Sequence, residues 1–332
     1  MRKINGQPVD AITDISSTAG GEALKWDETN SKMVWELQDS TSYIIIKWYG
    51  DRGVWMGGYV NAGGVAEVNT IDYVSISSAG NATDFGDLSG ARSSVNSASS
   101  VSRGFVAGGR QSGSTVNTIE YITFATTGGT TDWGDLNVSY LGRTTAGNGT
   151  RALTAGGEVT DAVDYWSLTS AGNASDFGNL SASRRESGSV ANSTRFVVGG
   201  GVTVNVIEYF TIASTGNATD FGDLLTAARD MGGGISSETR GIFHGDGVPS
   251  TVIQYITIGS TGNATDFGDM TLVRACEGTG DGTTGVIGGG GDGGAGTDTN
   301  VIDKITIATT GNAVDFGDLT QARSNFTSTS GD

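Results

Sequence analysis

The phrase Asp84-Phe85-Gly86-Asp87-Leu88 returns five more times along the chain, and this repetition constrains the fold more than any other feature. Equivalents stand at Asp132-Trp133-Gly134-Asp135-Leu136, Asp176-Phe177-Gly178-Asn179-Leu180 and Asp220-Phe221-Gly222-Asp223-Leu224. Two more stand at Asp266-Phe267-Gly268-Asp269-Met270 and Asp315-Phe316-Gly317-Asp318-Leu319. Their aromatic positions are separated by 48, 44, 44, 46 and 49 residues, so six copies fill residues 51–332. A period of this length marks a supersecondary unit that buries its faces only against its neighbours.

Each copy divides into four short segments. The first, as in Arg103-Gly104-Phe105-Val106-Ala107-Gly108-Gly109, is an apolar run closed by glycines, which end a strand and permit positive φ in the turn. The second, as in Thr118-Ile119-Glu120-Tyr121-Ile122-Thr123-Phe124, places Ile119 and Tyr121 on one face and Ile122 and Phe124 on the other. Both faces then need cover, which suits a sheet held between two other sheets. The third follows a turn such as Thr215-Gly216-Asn217, where glycine and asparagine tolerate left-handed angles. Phe221 and Leu224 lie three apart, so a bend at Gly222 is needed to bring them to one face. The fourth begins near an arginine (Arg92, Arg184, Arg229, Arg274, Arg323) and runs through small polar residues such as Ser93-Ser94-Val95-Asn96-Ser97. That composition predicts an exposed outer strand.

Closure follows from the two ends of the array. The chain finishes at Ser324-Asn325-Phe326-Thr327-Ser328-Thr329-Ser330-Gly331-Asp332, a fourth segment with no first segment after it. The missing partner is Arg52-Gly53-Val54-Trp55-Met56, and pairing the two leaves no bare edge at the seam. The predicted fold is all-β: a six-bladed β-propeller over 51–332, with four-stranded blades and a ring closed by its N- and C-terminal strands. Charged residues are only 17% and prolines only 2, while 55 glycines and abundant Ser and Thr suit strands and turns rather than long helices.

The period, the double glycine, the acidic-aromatic pair (Asp72-Tyr73, Glu120-Tyr121, Asp164-Tyr165, Glu208-Tyr209), the later aromatic and the arginine together resemble the kelch repeat. Gln254 and Lys304 depart from that pair in copies five and six. The resemblance implies a propeller. Residues 1–50 differ: Ala23-Leu24-Lys25-Trp26-Asp27 and Lys32-Met33-Val34-Trp35-Glu36-Leu37 flank Glu28-Thr29-Asn30-Ser31 and read as a β-hairpin. Together with Ile12-Thr13-Asp14-Ile15-Ser16 and Gly20-Gly21-Glu22 upstream, this stretch resembles a short module of phage tail fibres, where it precedes distal binding domains. Apolar residues from Trp26 to Trp48 imply that the segment packs on something.

Charge and residue counts exclude several chemistries. A formal net charge of −17 opposes nucleic acid, whose binding draws on Lys and Arg. No run reaches the roughly 18 apolar residues of a membrane helix, and Met1-Arg2-Lys3-Ile4-Asn5-Gly6 has no apolar signal-peptide core. A single cysteine, Cys276, precludes an internal disulfide, and a single histidine, His244, precludes a multi-histidine metal site. His244 shares its slot with Met56, Ala107, Ala155, Gly199 and Gly288, which predicts packing. The repeated Asp-Phe-Gly lacks every other kinase element. A carboxylate pair that recurs around a ring reads as structure, because an active site is needed once. Asp281-Gly282, Asp292-Gly293 and Asp298 would suit calcium by residue type, but without the spacing of a helix-loop-helix site. Sequons such as Asn81-Ala82-Thr83 and Asn217-Ala218-Thr219 read as turns. The expectation is a non-enzyme with no cofactor and no metal.

Loop lengths single out a candidate surface. The loop after the double glycine has ten residues in copy one (Tyr59 to Val68), seven in copy two (Arg110 to Val116) and nine in copy six (Gly291 to Thr299). Copies three to five have only three, three and four. Copies six, one and two are consecutive around a closed ring, so the long loops are expected to form a one-sided ridge exposing Tyr59, Asn61, Glu67, Arg110, Gln111, Asp292 and Asp298. With the leader, this points to a virion structural protein, a tail fibre or host-attachment protein made in the host cytoplasm. Residues 1–50 would hold other virion proteins. The propeller would meet a host-surface saccharide or protein, in a homo-oligomer whose copies multiply weak contacts. A capsid decoration or collar protein, a cellular lectin-like scaffolding propeller and a polysaccharide depolymerase are the alternatives.

Overall fold

Six four-stranded antiparallel sheets recur among the described residues, and the first is closed by the two ends of the repeat array. In the second blade the strands run Asn96–Ser99, Arg103–Ala107, Thr118–Thr123 and Thr131–Asp135, hydrogen-bonded in that order. The first blade takes Thr327–Gly331, then Arg52–Met56, Thr70–Ser75 and Thr83–Asp87. Thr327 lies opposite Met56 and Gly331 opposite Arg52, so the predicted seam is present. The fold is a six-bladed β-propeller. The structure is a computed structural model, and it describes residues 3–4, 7–8, 22–27, 32–37, 48–61, 66–202, 204–228, 233–245, 250–291 and 297–332.

The chain divides into two compact units, Met1–Ile45 and Ile46–Asp332. In the first, Glu22–Asp27 pairs with Lys32–Leu37 as the expected antiparallel hairpin, with Leu24 opposite Trp35. Lys3–Ile4 pairs with Gln7–Pro8. The predicted turn at 28–31 lies outside the described residues.

The two-faced segment behaves as its pattern requires. Ile119 and Tyr121 pack with Phe105, Trp133 and Trp166, while Ile122 and Phe124 pack with Val106 of their own blade and with Val54 and Phe85 of the preceding one. Each third strand therefore fills the core on both of its sides. Burying such side chains stabilises by about 1.5–3 kcal/mol apiece, which explains why the apolar positions recur in every copy.

The aromatic of the repeated phrase is the extra residue of a β-bulge. Register passes from Ile119 opposite Gly134 to Glu120 opposite Asp132, leaving Trp133 unpaired, and the same shift occurs in all six blades. One added residue reverses the parity of the strand, so Trp133 and Leu136 reach one cluster despite their spacing. Gly222 is the predicted bend, with φ +146°, and Phe221 and Leu224 share a cluster. The glycine is also needed for close approach: a Cβ on Gly134 would lie 2.4 Å from the carbonyl oxygen of Gly172 in the next blade.

That approach belongs to a hydrogen-bonded joint between blades. Gly172 N–H donates to Trp133 O at 2.9 Å, Ala174 N–H donates to Asp135 O at 2.7 Å, and Asp135 N–H donates to Asn173 Oδ1 at 3.1 Å. Of the turn residues expected to turn left-handed, only the glycine does so. The asparagine instead serves as an acceptor for the neighbouring blade. Its recurrence in a sequon thus has a structural cause.

One expectation is overturned. The small polar fourth segment is not an exposed outer strand; it is the innermost strand of every blade. Asn96–Ser99, Thr144–Gly147, Gly188–Ala191, Ile235–Ser236, Ala275–Gly280 and Thr327–Gly331 touch one another in succession around the axis. Strands converge there, so large side chains do not fit. Hydroxyls join neighbours: Ser97 Oγ donates to Ser328 O at 2.6 Å, Ser330 Oγ to Gly280 O at 2.6 Å, and Thr144 Oγ1 to Ser189 Oγ at 2.6 Å. The outer strand is the Asp-Phe-Gly-Asp segment.

Candidate functional site

The acidic-aromatic pair has two separate duties, because consecutive residues of a strand face opposite ways. The acid meets the arginine that precedes the blade's innermost strand: Arg92 pairs with Glu120 at 2.6 Å, Arg143 with Asp164 at 2.8 Å, Arg274 with Asp303 at 2.9 Å and Arg323 with Asp72 at 3.2 Å. Arg184 pairs likewise with Glu208. In blade five Gln254 occupies the acid's place and accepts from Leu225 N–H at 2.9 Å; Arg229, the arginine of that copy in the sequence, lies outside the described residues. Arg143 was not among the arginines singled out in the sequence. Burial pushes Asp72 above and Arg323 below their ordinary values, each shift being opposed by the partner's charge. The aromatic carries a second arginine across its face, as Arg195 over Tyr209 at 4.4 Å and Arg240 over Tyr255 at 4.1 Å. Arg195 Nη1 also donates to Ile258 O of the next blade at 2.8 Å. Blade six has Thr284 and Lys304 at these two positions, so both partners of the stack are exchanged together. These rings of charge are structural.

His244 and Cys276 form a separate buried pair. His244 Nδ1 lies 3.7 Å from Cys276 Sγ, which also approaches Met270 Sδ at 3.6 Å. Burial drives His244 down to about 3, with the charge of Arg274 adding to the effect, and drives Cys276 up to about 11. A neutral imidazole and a protonated thiol are packing groups rather than nucleophilic ones.

The long loops of blades six, one and two do meet. Tyr59–Val60 pairs with Ala66–Glu67, and Tyr59 exchanges backbone hydrogen bonds with Ser324 at 2.7 and 2.9 Å. Asn61 donates from its backbone N–H to Asp298 Oδ2 at 2.8 Å and from Nδ2 to Oδ1 at 2.9 Å, joining blade one to blade six. Glu67 accepts from Ser112 N–H at 2.6 Å and lies 3.9 Å from Arg110 Nε, joining blade one to blade two. Gln111 stands over Gly90, where an added Cβ would lie 2.2 Å from its Nε2. Of the six described ridge residues only Arg110 is exposed, whereas Tyr59, Asn61, Glu67, Gln111 and Asp298 are half-buried. The difference from full exposure arises because the loops bind one another. Asp292 lies outside the described residues.

The ridge borders a feature that the sequence reading did not single out. A central channel of about 560 Å³ is walled by the innermost strands, with Asn61 and Asp298 at the ridge end and Trp48 and Tyr49 in its lining. Trp48 O accepts from Ser99 Oγ at 2.7 Å beside the inner turns, and its ring meets that of Tyr49 edge-on at 5.4 Å. Glu277 is the one charged residue on the six innermost strands, all of which are described. Its Oε2 accepts from Gly233 N–H at 2.8 Å. Desolvation by the channel wall pushes this half-buried carboxyl up to about 8, against the pull of that hydrogen bond. Once the fourth segment is placed innermost, a lone Glu among Ser, Thr and Gly is the signal that marks it.

Glu277 gives the fold a measurable pH dependence. An acid with a raised native pKa holds a proton that the unfolded chain has released, so stability falls as pH rises from about 4.3 towards 8. The Glu277→Gln variant is expected to lose this decline. Urea midpoints at pH 5, 6.5 and 8 check it, and parallel profiles for the two proteins would contradict it.

Among the described residues no group of three or more His, Cys, Asp or Glu side chains is placed to hold a metal ion. Comparison with protein-family models yields no match, and comparison with curated proteins yields none. The assignment as a six-bladed β-propeller rests on the strand topology itself.

Proposed function

We propose that this chain is a virion component, a tail fibre or host-attachment protein, in which residues 1–50 anchor and the propeller is displayed for recognition of a host-surface saccharide or protein. The observation that carries the reading is the ridge: loops from three consecutive blades, tied by Asn61–Asp298 and Glu67–Ser112, make one face asymmetric on a rigid scaffold. The likeness of residues 12–37 to tail-fibre modules supports the anchoring role, and the kelch-like repeat supports a recognition propeller. Several displayed copies would convert weak contacts into firm attachment. The test is a fusion of residues 1–50 to a reporter, offered to assembling virions. Co-purification of the reporter with particles is expected, and its complete absence from particles would sink the anchoring role.

A further inference from the structure

We propose that the central channel is a binding site for a small amine-bearing polyol, with amino sugars as the fitting class of ligand. The cavity of about 560 Å³ lies within the roughly 300–1,000 Å³ of small-molecule sites. Its wall supplies the two things such a ligand needs. The first is a dense set of hydroxyls and strand backbone groups from Ser97, Thr145, Ser236, Thr279 and Ser328, and Ser328 Oγ has no hydrogen-bond partner among the described residues. The second is an acid, Glu277, on the third residue of Ala275–Gly280 and therefore midway along the wall; the other charged residues of the lining are engaged elsewhere, Arg143 with Asp164, Arg185 with Glu158 and Glu186, and Asp298 with Asn61.

The charge balance around Glu277 selects a cation of organic type. Arg274, on the same strand's approach, is engaged by Asp303 at 2.9 Å. His244 and Cys276 are neutral in the adjoining core, and neither the Ile235–Ser236 strand nor the Thr327–Gly331 strand carries a titratable side chain. One oxygen of Glu277 is held by Gly233 N–H, which fixes the group in place, and among the described residues no cation is paired with it. Among the described residues no other acid is grouped with Glu277 to hold a metal ion, which demands several oxygen ligands. An amine takes up the proton that Glu277 otherwise holds, leaving an ammonium against a carboxylate, and neutral acceptors and hydroxyls beside it give the remaining contacts. Trp48 and Tyr49 add aromatic surface at the end opposite the ridge, of the amphipathic kind that suits a sugar ring.

The inference concerns the channel and stands whether or not the chain is carried on a virion; reporter fusion tests the latter alone. Calorimetric titration of the full chain with glucosamine, glucose and N-acetylglucosamine separates the contributions, since only the first carries an ammonium. Glucosamine is expected to bind at least about tenfold more tightly than the two neutral sugars, a difference of about 1.4 kcal/mol. Glu277→Gln, isosteric and uncharged, is expected to erase that preference while leaving far-UV circular dichroism unchanged. Equal affinities for the three sugars, no heat from glucosamine at about 20 mM, enough to saturate a millimolar site, or a preference that survives in Glu277→Gln would each overturn the proposal.

Discussion

Deleting residues 327–332 is expected to abolish cooperative unfolding of the ring. The deletion removes the whole of Thr327–Gly331, every residue of which is buried, and bares the edge of Arg52–Met56 along its full register. It also breaks links to both neighbouring blades, including Thr327 Oγ1 to Ser97 Oγ at 2.7 Å and Ser330 Oγ to Gly280 O. An unpaired edge strand is a template for aggregation, and the core between blades six and one, with Trp55 and Phe326, opens to water. The loss is on the order of the whole stability of a domain, about 5–15 kcal/mol. Size-exclusion chromatography and a thermal melt check this, and a synthetic peptide spanning 324–332 is expected to restore the transition. A truncated chain that melts in one step at the parental temperature would refute closure by this strand.

Arg323→Met is expected to destabilise the propeller by about 3–5 kcal/mol, because it leaves Asp72 as an uncompensated charge with no exposed surface. Arg323 also donates from Nη2 to Trp55 O at 3.1 Å, so its loss loosens the second strand of the closing blade as well. Thr320 Oγ1, which donates to Asp72 Oδ1 at 2.5 Å, cannot replace the lost positive charge. Blade five shows the remedy, since Gln254 fills the same place with a neutral amide. The double variant Arg323→Met with Asp72→Gln is therefore expected to recover a large part of the loss. Urea unfolding of the two variants decides the matter: equal destabilisation would mean that the stranded carboxylate is not the cause.

Much of the ring is legible along the chain. Repetition sets the number of blades, the two-faced Ile119-Glu120-Tyr121-Ile122 pattern requires a neighbour on each side, and the orphan last segment requires pairing with Arg52–Met56. These are local or one-dimensional properties, so the order of residues suffices for them. That the long loops of blades six, one and two adjoin was legible too, although the sequence did not show that Asn61 and Glu67 engage Asp298 and Ser112 and are half-buried by it.

The radial order of the strands was decided only in three dimensions. A run such as Asn96-Ser97-Ala98-Ser99 has the polarity of an exposed strand, yet all four residues are buried. Their burial comes from five other inner strands meeting at an axis, a circumstance that no window along the chain encodes. With the order inverted, Glu277 is merely a surface acid; with it correct, the same residue is the one charged residue on the innermost strands that wall the channel. Sequence fixes which segments pair because pairing follows period and pattern, whereas crowding at the axis follows from symmetry and belongs to the assembled ring.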